Sequence, residues 1–197
     1  LSARPALRGR KLWLLRFPVL CVPHLYAAAA AEGIPKERLI FSNVAAKAAY
    51  IARSSLADIF LDTPMCNGHT TGCDVLWAGL PIITCQLESM CSRVAGSLLH
   101  AIDMPELVCA DVQSYVRLAV KLGNDREAYM AVRRKLWERR LTTPLFNTRQ
   151  WTMEWDRTIV AAWQHHCKGV PPVHIEVAPL SEAEMEEVRA HNAVRAL

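Results

Sequence analysis

Apolar runs of four to six residues alternate with amphipathic stretches from residue 12 to residue 122. Runs of that length without strict polar alternation are strands covered on both faces, and strands separated by helices imply a parallel sheet. The pattern predicts strands at Leu12–Phe17 (closed by Pro18), Arg38–Ser42, Ala57–Asp62, Pro81–Cys85 and Glu106–Cys109. It predicts helices over Pro23–Gly33, with proline at the start and glycine at the stop, and over Ala45–Ser54, Thr71–Ala78, Ser92–Ile102 and Val112–Leu122. The expected fold is α/β, a parallel sheet flanked by helices. In such sheets ligands bind beyond the carboxyl ends of the strands. That rule directs attention to Ser42–Ala46 and Thr63–Gly72.

The character changes after Gly123. Asn124 is expected to cap a charged helix reaching about Arg140, and Phe146–Cys167 reads as a long aromatic-rich helix. Trp151, Trp155 and Trp163 fall on one face of it, a pattern expected for packing against the sheet domain or another lobe. Gly169–Pro172 ends that helix, and Ser181-x-x-Glu184 opens a solvated tail helix with a capping-box pattern. The expected division is a short opening at 1–10, a lobe with its C-terminal helices at 11–168, and a tail at 169–197.

Composition narrows the function classes. A chain of 197 residues fits one domain with a tail, and 52% apolar with 21% charged residues is ordinary for a soluble protein. The net charge of +4 is spread along the chain without a basic block interleaved with aromatics, so nucleic acid is not an expected partner. No apolar run reaches the ~18 residues of a membrane span, and no membrane association is expected. The basic opening Leu1–Arg10 is unlike a signal peptide, because Arg16 interrupts the apolar stretch and no small-residue cleavage site follows. A first residue of Leu instead of Met suggests a chain cut from something longer. The seven cysteines form no Cys-x-x-Cys pair and several sit in apolar runs, as Cys85 and Cys109 do. That usage indicates a reducing compartment, here cytoplasmic and/or nuclear, and offers no zinc-ligand spacing.

The most informative segment runs from Leu61 to Asp74, through Asp62-Thr63-Pro64-Met65-Cys66-Asn67-Gly68-His69-Thr70-Thr71-Gly72-Cys73. It follows a strand, is rich in turn formers, and leads into a helix. Gly68 and Gly72 permit close backbone approach, Thr70 and Thr71 bring hydroxyls and free N–H groups to the helix start, and His69 adds a ring donor. Such a start is a site for phosphate. The alternative is that the threonines only cap the helix. In a second segment, Lys47, Tyr50 and Arg53 recur every three residues on one helix face. A ring flanked by two cations suits a base and a phosphate. On spacing alone, a solvated face is the plainer reading.

These stretches resemble the nucleotide-binding signature of the protein O-GlcNAc transferases. The resemblance rests on Asp62-Thr63-Pro64, Cys66 to Gly72, Asp74-Val75-Leu76-Trp77-Ala78-Gly79, Leu12 to Pro18, Ala119 to Gly123 and Pro144 to Thr148, in order from about Lys11 to Cys167. It implies the Rossmann-like C-terminal lobe of a GT-B glycosyltransferase. The family transfers N-acetylglucosamine from UDP-GlcNAc to Ser or Thr hydroxyls of proteins, without a metal ion or other cofactor. The implied donor-binding residues are Leu15, Ala45, Ala46, Lys47, Tyr50, Ile51, Ala52, Arg53, Cys66, His69, Thr70, Thr71 and Asp74. Among them Ala45 and Arg53 would address the uracil, Lys47 and His69-Thr70-Thr71 the phosphates, and Asp74 the ribose. Leu15 and Cys66 would line the pocket.

Two features depart from the family. Tyr50 stands where the family has histidine, which keeps an aromatic ring and changes its hydrogen bonding. The family's catalytic lysine lies upstream of Leu12-Trp13-Leu14-Leu15, as do the acceptor-side histidine and the peptide-binding repeats, so no catalytic residue is assigned within this chain. The expected partners are UDP or UDP-GlcNAc and, through those upstream regions, protein Ser/Thr acceptors. The alternatives are a GDP-fucose-using relative, a sugar-nucleotide enzyme with small acceptors, and a non-catalytic binding module.

Overall fold

The structure is a computed structural model that describes residues 9–195, with side chains described to residue 192. Most of the opening at 1–10 therefore lies outside the described residues. Five strands alternate with helices as the apolar pattern requires: β1 (Leu12–Leu15), α1 (Cys21–Ala31), β2 (Leu39–Ser42), α2 (Lys47–Ser54), β3 (Phe60–Leu61), α3 (Thr70–Trp77), β4 (Ile82–Cys85), α4 (Val94–Ala101), β5 (Val108–Cys109), α5 (Val112–Asn124) and α6 (Arg126–Arg139). Beyond them lie α7 (Thr148–Cys167) and α8 (Glu182–Arg195).

Every strand pair is parallel, and the hydrogen bonding forms two sheets instead of the single one expected. β1 pairs with β2 from Leu12↔Leu39 to Leu15↔Ser42. β4 lies between β3 and β5, with registers Phe60↔Ile82 and Thr84↔Val108. A cavity of about 1000 Å3 is lined both by β1 residues Leu12–Leu15 and by Ile59, Phe60 and Leu61, so the two strands border one space without forming a ladder. With only two residues in regular pairing, β3 offers a short edge.

The core belongs to the three-stranded side. All four residues of β4 are buried, as expected for a central strand with helices packed on it. Val75 and Leu76 of α3, Leu99 of α4, and Ile102, Met104 and Leu107 complete that core, all 1% exposed or less. Gly79 closes α3 with φ +77, the left-handed stop that glycine tolerates. α5 starts at a capping box, in which the Asp111 carboxylate accepts from the Ser114 N–H (2.6 Å) and the Asp111 N–H donates to Ser114 Oγ (3.2 Å). These hydrogen bonds hold the Asp111 carboxyl below its ordinary pKa.

The expected cap at Asn124 is displaced by one residue. Asn124 is the last residue of α5, its Nδ2 donating to Val120 O (2.9 Å), and Asp125 caps α6 by accepting the Ala128 N–H (2.9 Å). The carboxylate takes the cap because Asn124 is already engaged in the preceding turn.

The chain divides into two compact units between Arg140 and Leu141, inside the stretch 11–168 that the sequence suggests as one body. In the second unit α7 packs with α8, Val188 is buried, and Asn147 caps α7 by accepting the Gln150 N–H. Ser181 and Glu184 form the anticipated reciprocal cap of α8: the Ser181 N–H donates to Glu184 Oε2 (2.8 Å) and the Glu184 N–H to Ser181 Oγ (3.4 Å). The tryptophans of α7 do not enter a core. Trp151, Trp155 and Trp163 are 60%, 50% and 65% exposed, and the first two rings stack with centroids 5.5 Å apart.

Candidate functional site

The turn from β3 into α3 is built from beneath by two buried polar side chains. Asp62 follows β3 and is 2% exposed. One carboxylate oxygen accepts the Gly68 N–H (2.7 Å) and the other accepts the Thr84 hydroxyl of β4 (2.7 Å), while Tyr115 of α5 donates its hydroxyl to the Asp62 carbonyl (3.0 Å). Burial raises the Asp62 pKa above the usual carboxylate value, and the Thr84 and Gly68 hydrogen bonds act against that rise. The Tyr115 phenol is pushed far up by its own burial and by the Asp62 charge. Asn67, 6% exposed, donates to Thr63 O and accepts the Ala95 N–H at the start of α4 (3.0 Å). Its own N–H donates to Cys91 O (2.8 Å).

On this foundation His69, Thr70 and Thr71 stand exposed at the helix start. His69 is the residue before α3, and no side chain caps the helix. The first recorded α3 hydrogen bond runs from the Cys73 N–H to His69 O (3.3 Å), so the N–H groups of Thr70, Thr71 and Gly72 precede it. Capping by the threonines, the plainer sequence reading, is therefore not what the structure contains. The His69 ring donates from Nε2 to Cys91 O (3.2 Å).

The second segment meets the first. Lys47 at the start of α2 pairs with Asp74 of α3, Nζ to Oδ1 3.2 Å, across the gap between two separate strand–helix units. Tyr50 lies half-buried on α2, its backbone carbonyl accepting the Ser54 hydroxyl (2.8 Å). Its phenol pKa is raised, chiefly by burial. The Arg53 guanidinium sits 5.6 Å from the Tyr50 ring and 5.9 Å from the Trp13 ring, and donates to Asn43 O (2.8 Å). Trp13 Nε1 donates to Ser42 Oγ (2.9 Å), which ties β1 to the carboxyl end of β2.

Of the residues singled out in the sequence, the contacts join Lys47 with Asp74 across α2 and α3, and Tyr50 with Arg53 on α2. Leu15 ends β1 beside Ser42, and Ala45 and Ala46 lead into α2 on the same side of the sheet. Cys66 is an exposed member of the turn. Ile51 and Ala52 line a separate cavity of about 360 Å3 with Trp77, Trp137 and Arg140, away from Lys47 and His69. The sequence reading assigned no role to Asp62, Asn67, Thr84, Tyr115 or Trp13. Asp62 carried a signal, a carboxylate directly after an apolar strand. Asn67 lies within the informative segment, but its hold on Ala95 is set by folding, and Thr84, Tyr115 and Trp13 come from distant segments joined to the site only by folding. Among the described residues, no group of three or more His, Cys, Asp or Glu side chains is placed to hold a metal ion, and no helix is long and apolar enough to cross a membrane.

Comparison with known proteins bears on the same stretch. The UDP-N-acetylglucosamine–peptide N-acetylglucosaminyltransferase of Caenorhabditis elegans is 44% identical over 164 residues, 83% of this chain and 14% of that protein. A probable UDP-N-acetylglucosamine–peptide N-acetylglucosaminyltransferase of Arabidopsis thaliana, SEC, is 44% identical over 167 residues, covering 84% of this chain and 17% of the relative. Both relatives are thus several times longer than the matched region. In structure, a lysine-to-methionine mutant of the Thermobaculum terrenum O-GlcNAc transferase superposes with a TM-score of 0.75 at 26% identity, over 81% of this chain and 31% of that one. The fold is accordingly the Rossmann-like lobe of a GT-B glycosyltransferase. The model of glycosyl transferase family 41 matches residues 7–155, three-quarters of the sequence and all of the site, and the chain belongs to that family.

Proposed function

We propose that this chain is the donor-binding half of an enzyme that transfers N-acetylglucosamine from UDP-GlcNAc to Ser or Thr hydroxyls of proteins. The names of the long relatives support that activity, and the observation that carries it here is the open handover from β3 to α3. An uncapped helix start with exposed His69, Thr70 and Thr71 receives a diphosphate through backbone N–H groups and the helix dipole. Lys47 supplies the counter-charge, Asp74 a ribose hydroxyl acceptor, and Tyr50 with Arg53 and the Ala45–Ala46 backbone the contacts to the uracil. Leu15 and Cys66 line the sugar end. Ile51 and Ala52 belong to the same α2 segment and act through its placement.

In this reading the acceptor hydroxyl displaces UDP directly at the anomeric carbon, with inversion. The leaving diphosphate gathers negative charge, and fixed N–H groups with Lys47 stabilise it without a metal ion. The acceptor protein and the group that assists the leaving phosphate are supplied by parts of the family's long proteins that lie outside these residues. The seven free cysteines suit a reducing compartment, the cytoplasm and/or nucleus. Calorimetry of the folded 197-residue chain with UDP is the test. Binding that weakens in Lys47→Ala and His69→Ala is expected, and no heat of binding at millimolar UDP overturns the reading.

A further inference from the structure

We propose that His69 meets the donor's diphosphate as an imidazolium, so that binding draws a proton from solvent onto the ring. This rests on the donor-binding reading above. The partner of Nε2 fixes the ring's tautomer. A backbone carbonyl only accepts, so the 3.2 Å contact with Cys91 O assigns the ring's proton to Nε2. That carbonyl is itself fixed, because it also accepts the Asn67 N–H and belongs to the short helical turn Met90–Ser92. In the neutral ring the remaining nitrogen, Nδ1, is then a lone pair. A lone pair turned toward phosphate oxygens sets two acceptors against each other. Only a second proton, at Nδ1, converts the contact into a charge-assisted hydrogen bond.

Asp62, at the end of β3, is near enough for its carboxylate and the ring to feel each other's charge, and it forms no ion pair among the described residues. Lys47 of α2 opposes a second cation, but Asp74 of α3 offsets it at 3.2 Å. Arg93, after the turn, directs its guanidinium to Leu87 O. A bound diphosphate then adds two negative charges at the one ring nitrogen left free.

The probe is UDP-GlcNAc and not UDP, because the terminal phosphate of UDP itself titrates near pH 6, whereas the sugar diester does not. Calorimetry of the 197-residue chain at about pH 7, in buffers of different ionisation enthalpy, is expected to give binding enthalpies that vary with the buffer in the sense of proton uptake. Affinity is expected to fall as pH rises, by up to about tenfold per unit. His69→Gln, which keeps a donor for Cys91 O and cannot take the second proton, is expected to lose the buffer dependence and flatten the profile. Binding of UDP-GlcNAc with no buffer dependence, or a dependence that survives in His69→Gln, overturns the proposal and leaves the donor-binding reading standing. Absence of binding by both UDP and UDP-GlcNAc removes that reading, and this inference with it.

Discussion

The two strand–helix units that meet at Lys47 and Asp74 are built differently. On the β3–β4–β5 side the site rests on a dry core, with Ile82, Ile83, Thr84 and Leu99 fully buried and the turn fastened by Asp62 and Asn67. On the β1–β2 side Leu39 is the buried apolar residue, while Leu15, Ile40 and Val44 are 45%, 46% and 66% exposed. The turn into α3 is therefore preorganised backbone, which needs little rearrangement when a ligand arrives. The α2 side is a set of partly solvated side chains, Tyr50, Arg53 and Trp13, held by ring contacts and single hydrogen bonds. In the proposed reading the backbone contacts to the diphosphate fall on the rigid side, with Lys47 reaching in from α2, and the contacts to the base fall on the more open side.

The comparison makes graded predictions, each readable by denaturant unfolding or calorimetry. Ile83→Ala on the rigid side is expected to cost about 2–5 kcal/mol, the usual range for a fully buried aliphatic. Asn67→Ala leaves the Ala95 N–H without its partner and should cost about 1–3 kcal/mol, with a matching loss of UDP affinity as the turn loosens. Gly79→Ala places a β-carbon 2.9 Å from the Trp137 ring at φ +77, and a loss of about 1–2 kcal/mol is expected. Ile40→Ala, on the open side, should cost less than about 1 kcal/mol for a side chain left half in water. If Ile40→Ala proves as damaging as Ile83→Ala, the contrast between the two sides fails. Lys47→Ala is the smallest in stability, under about 1 kcal/mol for a solvated ion pair, and is expected to act on UDP binding instead.

Asp62 adds a pH signature to the rigid side. Its pKa is raised by burial, so folding favours the protonated carboxyl. That contribution to stability is present below the unfolded pKa and is lost as pH rises through the folded one. Asp62→Asn removes the dependence, so its stability relative to the parent chain should improve as pH rises across the acid range. A difference independent of pH in unfolding titrations would show that burial does not govern this carboxyl.

Much of the fold was legible in the linear pattern because it depends on local apolar periodicity and on turn formers. Each of the five strands falls within its expected stretch, the helices between them lie within two residues of theirs, and the Ser181–Glu184 cap forms as the spacing indicates. The boundary at Asn124 shifted by one residue because two adjacent cap formers compete and only the Val120 contact decides between them. The α7 tryptophans share a face as periodicity requires, yet periodicity does not say what a face meets, and theirs remains exposed. The split into two sheets was likewise invisible, since whether β1 and β3 pair is decided between residues some 45 positions apart.

For the site the division is similar. The sequence by itself determined which residue types stand at the strand ends: the glycine- and threonine-rich turn after β3 and the Lys47-Tyr50-Arg53 face of α2. These are local properties, set by turn chemistry and the helical repeat. Tertiary structure decided that the two segments meet, that Asp62 and Asn67 hold the turn from below, and that His69 spends its Nε2 proton on Cys91 O. Those facts depend on packing strands distant in the chain against one another, where burial decides which hydrogen bonds must be made and no linear spacing records the partners.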